Sequence, residues 1–368
     1  MFFPFLVTLI NRYSASNSFL ARIFIKRTLF FMENFIESSY SKQDRSLDTP
    51  LRPSTLDEFI GQQNIKERLA IFIGASKKRY EPLGHILFSG PPGLGKTTLA
   101  NIIAKTMNTN LVVTTGPVIE KPGDLAGILT SLKEGDILFI DEIHRLNKSV
   151  EEYLYPAMED YTLDILIDSG PNARNVSVKL NKFTLIGATT RSGLISSPMR
   201  SRFNFNGRLD YYNSQELQEV ILRSSNILKL ELDNICALEI ARRARGTPRI
   251  ANNLLKWIRD YVQMGNNNII NSDIVNKALL MLNIDKEGLD EMDKKILNTM
   301  IDHFDGGPVG VNTIGVSIAE EASTIQEVYE PYLIMKGFLK RTPRGREVTN
   351  LGYEHMGKKI PKKFGELL

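Results

Sequence analysis

One stretch of the chain, residues 90–97, limits the possible folds more than any other. It reads Gly-Pro-Pro-Gly-Leu-Gly-Lys-Thr and fills every fixed position of the pattern G-x-x-x-x-G-K-[ST]. An apolar run precedes it and a helix-compatible run follows, which favours a phosphate-binding loop over an ordinary Gly/Pro turn. Gly90, Gly93 and Gly95 allow backbone N–H groups to approach phosphates, Lys96 adds a charge, and Thr97 offers a hydroxyl to Mg²⁺.

The composition is that of a globular chain with two or three domains: 368 residues, 42% hydrophobic and 24% charged. The single cysteine, Cys236, cannot form an internal disulfide, so a reducing, cytoplasmic location is expected. No Cys/His cluster has the spacing of a zinc site, and the apolar run at residues 2–10 is too short to cross a bilayer.

The net charge of +4 is unevenly distributed along the chain. Residues 1–31 contain four Lys/Arg and no acid, and the tail from Lys336 to Leu368 has nine Lys/Arg against three Glu. Local basic patches, not the overall charge, therefore decide any contact with nucleic acid. The leader reads as a presequence, a cleaved signal or an overcalled start, and we favour translation from Met32. Residues 33–50 are polar and are expected to be mobile.

Alternating helix and strand patterns around the loop predict a parallel sheet with helices on both faces and ligands at the carboxyl ends of its strands. Strands are expected to end at Phe88 and to cover 111–114, 136–140 and 183–188. Helices are expected to cover about 64–78, 98–107 and 124–132.

Acidic and hydroxyl side chains follow two of these strands. Asp141 and Glu142 end an apolar strand, where Asp141 is expected to hold Mg²⁺ and Glu142 to act as general base on water. Thr189 and Thr190 end the next core strand. Arg202, near a helix end, suits a finger that enters a neighbouring subunit's site, unless it only faces solvent.

Two β-rich runs, 163–168 and 175–180, predict an inserted hairpin. Because Leu163, Ile165 and Ile167 have little to pack against on such an excursion, we expect the hairpin to bind a partner; the alternative is that it folds back on its own domain.

The remainder predicts a helical domain and then a helix–turn–helix pattern with a basic hairpin. Helices are expected at 214–228, 233–243, 248–264, 272–282, 290–304, 312–320 and 323–335. Arg249 in the first turn of one helix either reaches a nucleotide or faces solvent, and from the residues alone the second is favoured. Arg341, Arg344 and Arg346 surround a Pro-Arg-Gly turn and predict a wing that contacts DNA phosphates, in preference to a merely solubilising tail.

From about Leu51 to Lys359 the sequence resembles the bacterial RuvB family, AAA+ motors of Holliday junction branch migration. The motifs that carry the resemblance are long. They are residues 90–100, 139–146, 155–161, 184–191, 244–252 and 341–346.

The resemblance implies an α/β AAA+ P-loop NTPase domain at 49–212 with the hairpin at 161–180, a small helical lid at 213–283, and a winged-helix head at 284–364, after a leader and mobile segment at 1–48. It implies that Thr190 senses the γ-phosphate, that Arg202 is the trans-acting finger and that Arg249 is a second sensor. It also implies a nucleotide pocket and DNA contacts. The implied pocket residues are Leu51, Arg52, Thr98, Glu159, Asp160, Tyr161 and Tyr212, and the DNA contacts include Arg341 and Arg346.

The implied activity is ATP-driven, Mg²⁺-dependent branch migration by a hexameric ring, with RuvA bound at the hairpin and RuvC in a resolving complex. Two rivals are a clamp-loader-like AAA+ ATPase and an ATP-switched winged-helix regulator. The sequence departs from the family at the leader, at Asn204 beside the finger, and at Ala322, where the family commonly places an arginine on DNA.

Overall fold

The structure, a computed structural model, describes residues 50–166, 175–264 and 270–361. The expectations for the leader and for residues 33–49 lie outside these described residues. The described chain forms two compact units. The first contains the residues from 50 to 230 with Gly246–Asn253, and the second contains Glu231–Arg245 and the residues from Leu254 onward. The domain boundaries expected at 212 and 283 stay predictions.

A five-stranded, all-parallel sheet forms the centre of the first unit, with the strand order β2-β3-β6-β1-β7. Its three central strands are buried because both faces of the sheet are covered there, which is typical of parallel sheets, whereas the two edge strands are partly exposed. The strands are β1 Ile86–Ser89, β2 Leu111–Thr115, β3 Ile137–Asp141, β6 Thr184–Thr189 and β7 Phe205–Arg208.

Helices cover both faces of this sheet, as the alternating pattern predicts. On one face, Leu138 and Ile140 of β3 pack in a hydrophobic cluster with Leu129 and Leu154. The helix after the phosphate loop buries Leu99, Ile102 and Ile103 and contacts β2, β3 and β6. The helices are α1 Gln63–Arg79, α2 Lys96–Met107, α3 Pro122–Ser131, α4 Lys148–Glu159, α5 Ser197–Ser201 and α6 Ser214–Ile227.

The predicted hairpin is present as β4, Thr162–Leu166, paired antiparallel with β5, Asn175–Lys179. Leu163 is fully buried in the cluster that holds β3, so the expectation that it has little to pack against is wrong. The base of the hairpin folds back on its own domain, as the alternative expected. The side chains of Ile165 and Ile167 lie outside the described residues.

Strand β7 has no counterpart among the sequence predictions. It is only four residues long, and its pairing with β1 comes from tertiary packing, in which Phe205 contacts the rings of Phe72 and Phe88. Just before it, the amide oxygen of Asn204 accepts a hydrogen bond from the His85 N–H at 2.9 Å. The unusual asparagine therefore fixes the chain beside Arg202 to the start of β1.

The second unit begins with helices that match their predicted ranges closely. They are α7 Asn234–Arg243, the later part of α8 Pro248–Met264, and α9 Ser272–Met281. Cys236 is buried. Within the described residues no helix is long and apolar enough to cross a membrane.

The second unit continues as a winged helix around its own hydrophobic cluster. Its helices are α10 Glu291–Phe304, α11 Val311–Ile318, α12 Glu330–Met335 and α13 Asn350–His355, and its wing pairs β8 Leu339–Thr342 with β9 Gly345–Val348. The helix expected at 323–335 is interrupted by a π-helical segment, Ile325–Tyr329. Pro331 explains the interruption, because its ring and missing N–H disfavour regular α-helix over the preceding turn.

Candidate functional site

Three loops that are distant in sequence meet because of the strand order. In the sheet, β6 lies between β1 and β3, and all three strands are parallel. Their carboxyl ends therefore share one edge, where the phosphate loop follows β1, Asp141 ends β3 and Thr190 follows β6. A parallel sheet binds ligands at this edge.

A cavity of about 280 Å³ opens at this edge within the first unit. It is lined by most of the residues that the sequence predicts for the nucleotide. These are Leu51, Arg52, Gly93, Gly95, Lys96, Thr97, Thr98, Asp141, Glu142, Thr190, Tyr212 and Arg249.

The glycines of the phosphate loop are required by the backbone conformation and by close contacts. All three have positive φ: +137° at Gly90, +80° at Gly93 and +98° at Gly95. A Cβ on Gly90 would collide with the carbonyl oxygen of Leu209, and one on Gly95 would lie 3.0 Å from the Phe59 ring. The loop therefore keeps its N–H groups close to the space that a phosphate would occupy.

Lys96 is buried at the floor of the cavity. Its ammonium group donates hydrogen bonds to the carbonyl oxygens of Gly90 and Pro91, both at 2.7 Å. Burial lowers the pKa of Lys96 to about 8, Asp141 opposes that shift, and the nearby charge of Arg249 adds to it. An anionic phosphate would favour the charged form, so this lysine is matched to an anionic ligand.

The two acids after β3 have different surroundings. Asp141 is half-buried and accepts the N–H of Glu142 at 3.0 Å, while Glu142 has φ +49° and pairs with Arg145 at 2.8 Å. Within the described residues no cluster of three or more His, Cys, Asp or Glu could hold a metal. Thr97 and Asp141 nevertheless bring two oxygen donors to one cavity, which suits Mg²⁺ because it takes its other ligands from phosphates and water.

The loop that carries Thr190 is tied to the loop that carries Glu142. The hydroxyl of Thr189 is 3.0 Å from Nδ1 of His144 and accepts the N–H of Arg191 at 3.0 Å. Burial lowers the pKa of His144, although Glu142 opposes the shift. Sequence reasoning missed His144, whose only signal is its place two residues after Glu142.

Two arginines on helices complete the cavity. Arg249 lies in the first turn of α8 and its Cβ approaches Gly93, so this exposed arginine lines the cavity. Arg223 on α6 also lines the cavity and donates to the carbonyl of Leu51 at 2.8 Å. Arg223 has no motif around it, so sequence reasoning missed it.

Three predicted pocket residues and the predicted finger lie elsewhere on the first unit. Arg202 pairs with Glu159 at 3.1 Å, stands 4.3 Å from the centre of the Tyr155 ring, and does not line the cavity of its own chain. Asp160 and Tyr161 follow Glu159 and are also outside this cavity, and Tyr161 packs against Phe183. Glu159, Asp160 and Tyr161 do not line the chain's own cavity, and their expected part in a nucleotide pocket stays a prediction.

The wing of the second unit holds the three predicted DNA-contacting arginines in different environments. Arg341 and Arg346 face each other across β8 and β9, and both bond the fully buried carboxylate of Glu330 at 2.9–3.1 Å. The Arg341 side chain is 57% exposed and that of Arg346 only 13%. Arg344 is exposed at the turn. Arg341 and Arg344 are thus accessible to phosphates, whereas Arg346 mainly neutralises Glu330.

Comparison with protein families finds three matching models in chain order. The model of the Holliday junction DNA helicase RuvB P-loop domain matches residues 51–209, that of the RuvB AAA lid domain matches 212–285, and that of the RuvB C-terminal winged helix domain matches 286–357.

Individual relatives are similar over most of their length. The Holliday junction branch migration complex subunit RuvB of Protochlamydia amoebophila is 65% identical, with 88% of this chain and 98% of the relative covered. The same subunit of Chlamydia pneumoniae is 56% identical, with 85% and 93% covered. The solved Thermotoga maritima RuvB Holliday junction branch migration motor is 54% identical, with a TM-score of 0.78 and 85% and 100% covered.

Proposed function

Because the chain belongs to the RuvB family of Holliday junction branch migration proteins, we propose that it is an ATP-driven motor that moves the arms of a four-way DNA junction. The observation that carries the ATPase part is the meeting of Lys96, Thr97, Asp141, Glu142 and Thr190 in one cavity at the carboxyl edge of a parallel sheet. A P-loop joined to these acids performs phosphoryl transfer by positioning and charge stabilisation.

Each residue of the cavity has a distinct role in hydrolysis. The phosphate loop and Lys96 hold the β- and γ-phosphates of ATP, and Thr97 with Asp141 would hold Mg²⁺, which supplies positive charge to the phosphate oxygens. Glu142 orients water and accepts its proton once it leaves Arg145. Thr190 and Arg249 contact the γ-phosphate, so its loss removes contacts that differ between the two states.

The group around Arg202 is proposed to act on the nucleotide of a neighbouring subunit. Arg202 and Glu159 are partly exposed and lie outside the cavity of their own chain, which supports a role in trans. The planar, permanently charged fork of Arg202 would stabilise charge as it develops on the γ-phosphate. Such a contact requires a ring, proposed as a homo-hexamer.

The other proposed partners follow the separate surfaces of the chain. The wing would contact DNA backbone through Arg341 and Arg344, with no reading of sequence. The β4–β5 hairpin is proposed to bind RuvA, which would recognise the junction, and RuvC would join a resolving complex. The proposed location is the cytoplasm.

Migration of a synthetic four-way junction, with and without RuvA, tests this function. We expect ATP-dependent movement that RuvA accelerates and that does not depend on the sequence of the arms. Movement confined to one defined sequence would instead support a regulator, and ATP-dependent loading of a separate ring would support a clamp loader. If the protein consumes ATP but leaves the junction unmoved with RuvA present at every salt concentration, the motor assignment is wrong.

A further inference from the structure

A buried arginine in the second unit forms hydrogen-bonded ion pairs with the first helix of the winged-helix head. Arg245, only 5% exposed, donates from one guanidinium nitrogen to Asp290 at 3.1 Å and to Asp293 at 2.8 Å, and from another to Asp293 at 3.3 Å. A planar fork bound in this way to two carboxylates fixes direction as well as distance. The orientation of α10 at Arg245 is therefore fixed.

Asp290 and Asp293 make contacts beyond those that cap the start of α10. Asp290 and Asp293 form a capping box at the start of α10, in which each accepts the other's backbone N–H, at 2.8 and 3.1 Å. Neutral Asn or Ser side chains cap helices equally well, so capping does not explain two buried carboxyl groups that both bond Arg245. Buried ion pairs add little to stability but can enforce one geometry. We therefore assign to Asp290 and Asp293 the role of fixing the orientation of α10 relative to Arg245.

A second helix of the head is held by the same guanidinium. Arg245 stands 4.4 Å from the centre of the Tyr332 ring on α12. The Tyr332 hydroxyl donates to the carbonyl of Glu287, and Lys336, also at the end of α12, pairs with Glu287 at 2.8 Å. Gly288 packs tightly against the carbonyl of Arg243, where a Cβ would lie 2.9 Å away. Arg245 thus joins α10, α12 and the end of α7 in one packed cluster.

Arg245 is also close in sequence to the nucleotide cavity. Only three residues separate it from Arg249, which lines the cavity of the first unit. Gly246 is anchored in that unit because its carbonyl accepts the N–H of Tyr212 at 2.9 Å. Arg245 and Gly246 both have positive φ, +52° and +69°, a backbone conformation that is costly for arginine and readily adopted by glycine.

We infer that Arg245 is a positioning residue that transmits nucleotide-dependent movement of the Arg249 segment to the winged-helix head. The inference rests on the proposed motor function. Because Arg245 binds two helices of the head at once, a displacement of the segment moves the head as one body. Without the bonds of Arg245 to Asp290 and Asp293, ATP would still be hydrolysed, but each displacement of the Arg249 segment would move the head, and the DNA bound to it, by less.

Two variants that keep the local structure test this transmission. Arg245→Lys keeps the charge and loses the fork. Asp293→Asn keeps one oxygen for the cap and loses the second oxygen that accepts from Arg245. DNA-stimulated ATPase and junction migration are measured on the same preparations. We expect ATPase within about twofold of wild type and migration lowered roughly tenfold, so that more ATP is consumed per junction moved. Arg242→Lys is the matched control, since Arg242 is exposed and bonds only Glu239 on its own helix.

The ratio of migration to ATPase decides the outcome. An unchanged ratio in either variant overturns the inference, and so does an equal loss of both activities in folded protein, which would place Arg245 in the nucleotide site. Tyr332→Phe, which removes one hydroxyl, covers the case in which both variants fail to fold; we expect a roughly threefold lower ratio, and an unchanged one overturns the inference. If wild-type protein moves no junctions, the motor function fails instead.

Discussion

At the residue scale, the phosphate loop shows why its residues are so restricted. Lys96 is buried against its own loop carbonyls, and three glycines around it have positive φ, two of them packed against Leu209 and Phe59. Such an arrangement is costly for a chain that only needs a turn, because a buried ammonium group is poorly solvated. It is useful where an anion completes the site.

Replacement of Lys96 tests the assignment of this cavity. In Lys96→Ala we expect ATP turnover to fall by at least about 100-fold, because the γ-phosphate loses its principal charge partner. Phosphate release under saturating ATP measures the effect, and circular dichroism checks the fold. Lys105→Ala, on the exposed side of the same helix, is the matched control and should retain turnover. Normal turnover in Lys96→Ala would move the active site elsewhere.

At the element scale, the wing separates two arginines that look equivalent in the sequence. Arg341 and Arg346 are cross-strand neighbours on β8 and β9, and both reach Glu330 at the start of α12. Glu330 is fully buried, so its charge must be neutralised from within the head. Arg346 bonds both carboxylate oxygens and Arg341 only one, which leaves most of the Arg341 fork for phosphate.

Single substitutions in the wing distinguish these roles. Arg341→Ala and Arg344→Ala should each weaken DNA binding and reduce the slope of log affinity against log salt by about 1, with little change in thermal stability. Arg346→Ala should destabilise the head by about 3 kcal/mol, because it leaves a buried carboxylate incompletely paired. Fluorescence anisotropy at several salt concentrations and thermal unfolding provide the measurements. A stable Arg346→Ala head with a reduced salt slope would contradict this division.

The same carboxylate predicts how the head responds to acid. Burial alone would raise the pKa of Glu330, but hydrogen bonds and charge from Arg341 and Arg346 outweigh it, so the pKa is lowered in the folded head. A lowered folded pKa stabilises the head above the ordinary glutamate value, and this contribution is lost as the pH falls through the folded pKa. Hydrogen exchange of the wing amides between pH 6 and about pH 3 measures the loss.

Glu330→Gln provides the comparison for that experiment. The variant keeps the shape of the side chain and cannot titrate, so its wing amides should lose less protection on acidification than those of wild type. Equal acid sensitivity in the two proteins would show that other carboxylates control the stability of the wing.

At the scale of the whole molecule, the role in trans proposed for Arg202 requires more than one copy of the chain. Arg202 is held by Glu159 and the Tyr155 ring, away from the cavity of its own chain. A residue that acts on a neighbour's nucleotide makes each site depend on two subunits. Hydrolysis then reports the position of the adjacent subunit as well as the presence of ATP.

Mixing of inactive variants tests this shared site. Lys96→Ala and Arg202→Ala should each lack turnover alone and recover part of it when combined in one ring, because an intact Lys96 site can then receive an intact finger. Steady-state ATPase of the mixture measures the recovery. The double variant, mixed with either single variant, is the control and should recover nothing. Lack of recovery in rings proven to be mixed would exclude a finger in trans.

The sequence alone determined the phosphate loop, the acids after β3, the kinds of domain and most element ranges. These follow from patterns within a few residues, such as Gly90 to Thr97 or the apolar run before Asp141. The residues around Arg249 favoured a surface arginine. The longer motifs that indicate a family changed that prediction to a nucleotide contact.

Only the tertiary structure decided what depends on partners distant in the chain. Packing between remote segments pairs β7 with β1, buries Leu163 and leaves Glu159 outside its own chain's cavity. Charge pairing with Glu330 gives Arg341 and Arg346 their different exposures. The hydrogen bond from Arg245 to Asp293 likewise joins segments that are distant in the chain. Burial and electrostatic pairing are properties of the folded surroundings, and a local pattern of residues does not contain them.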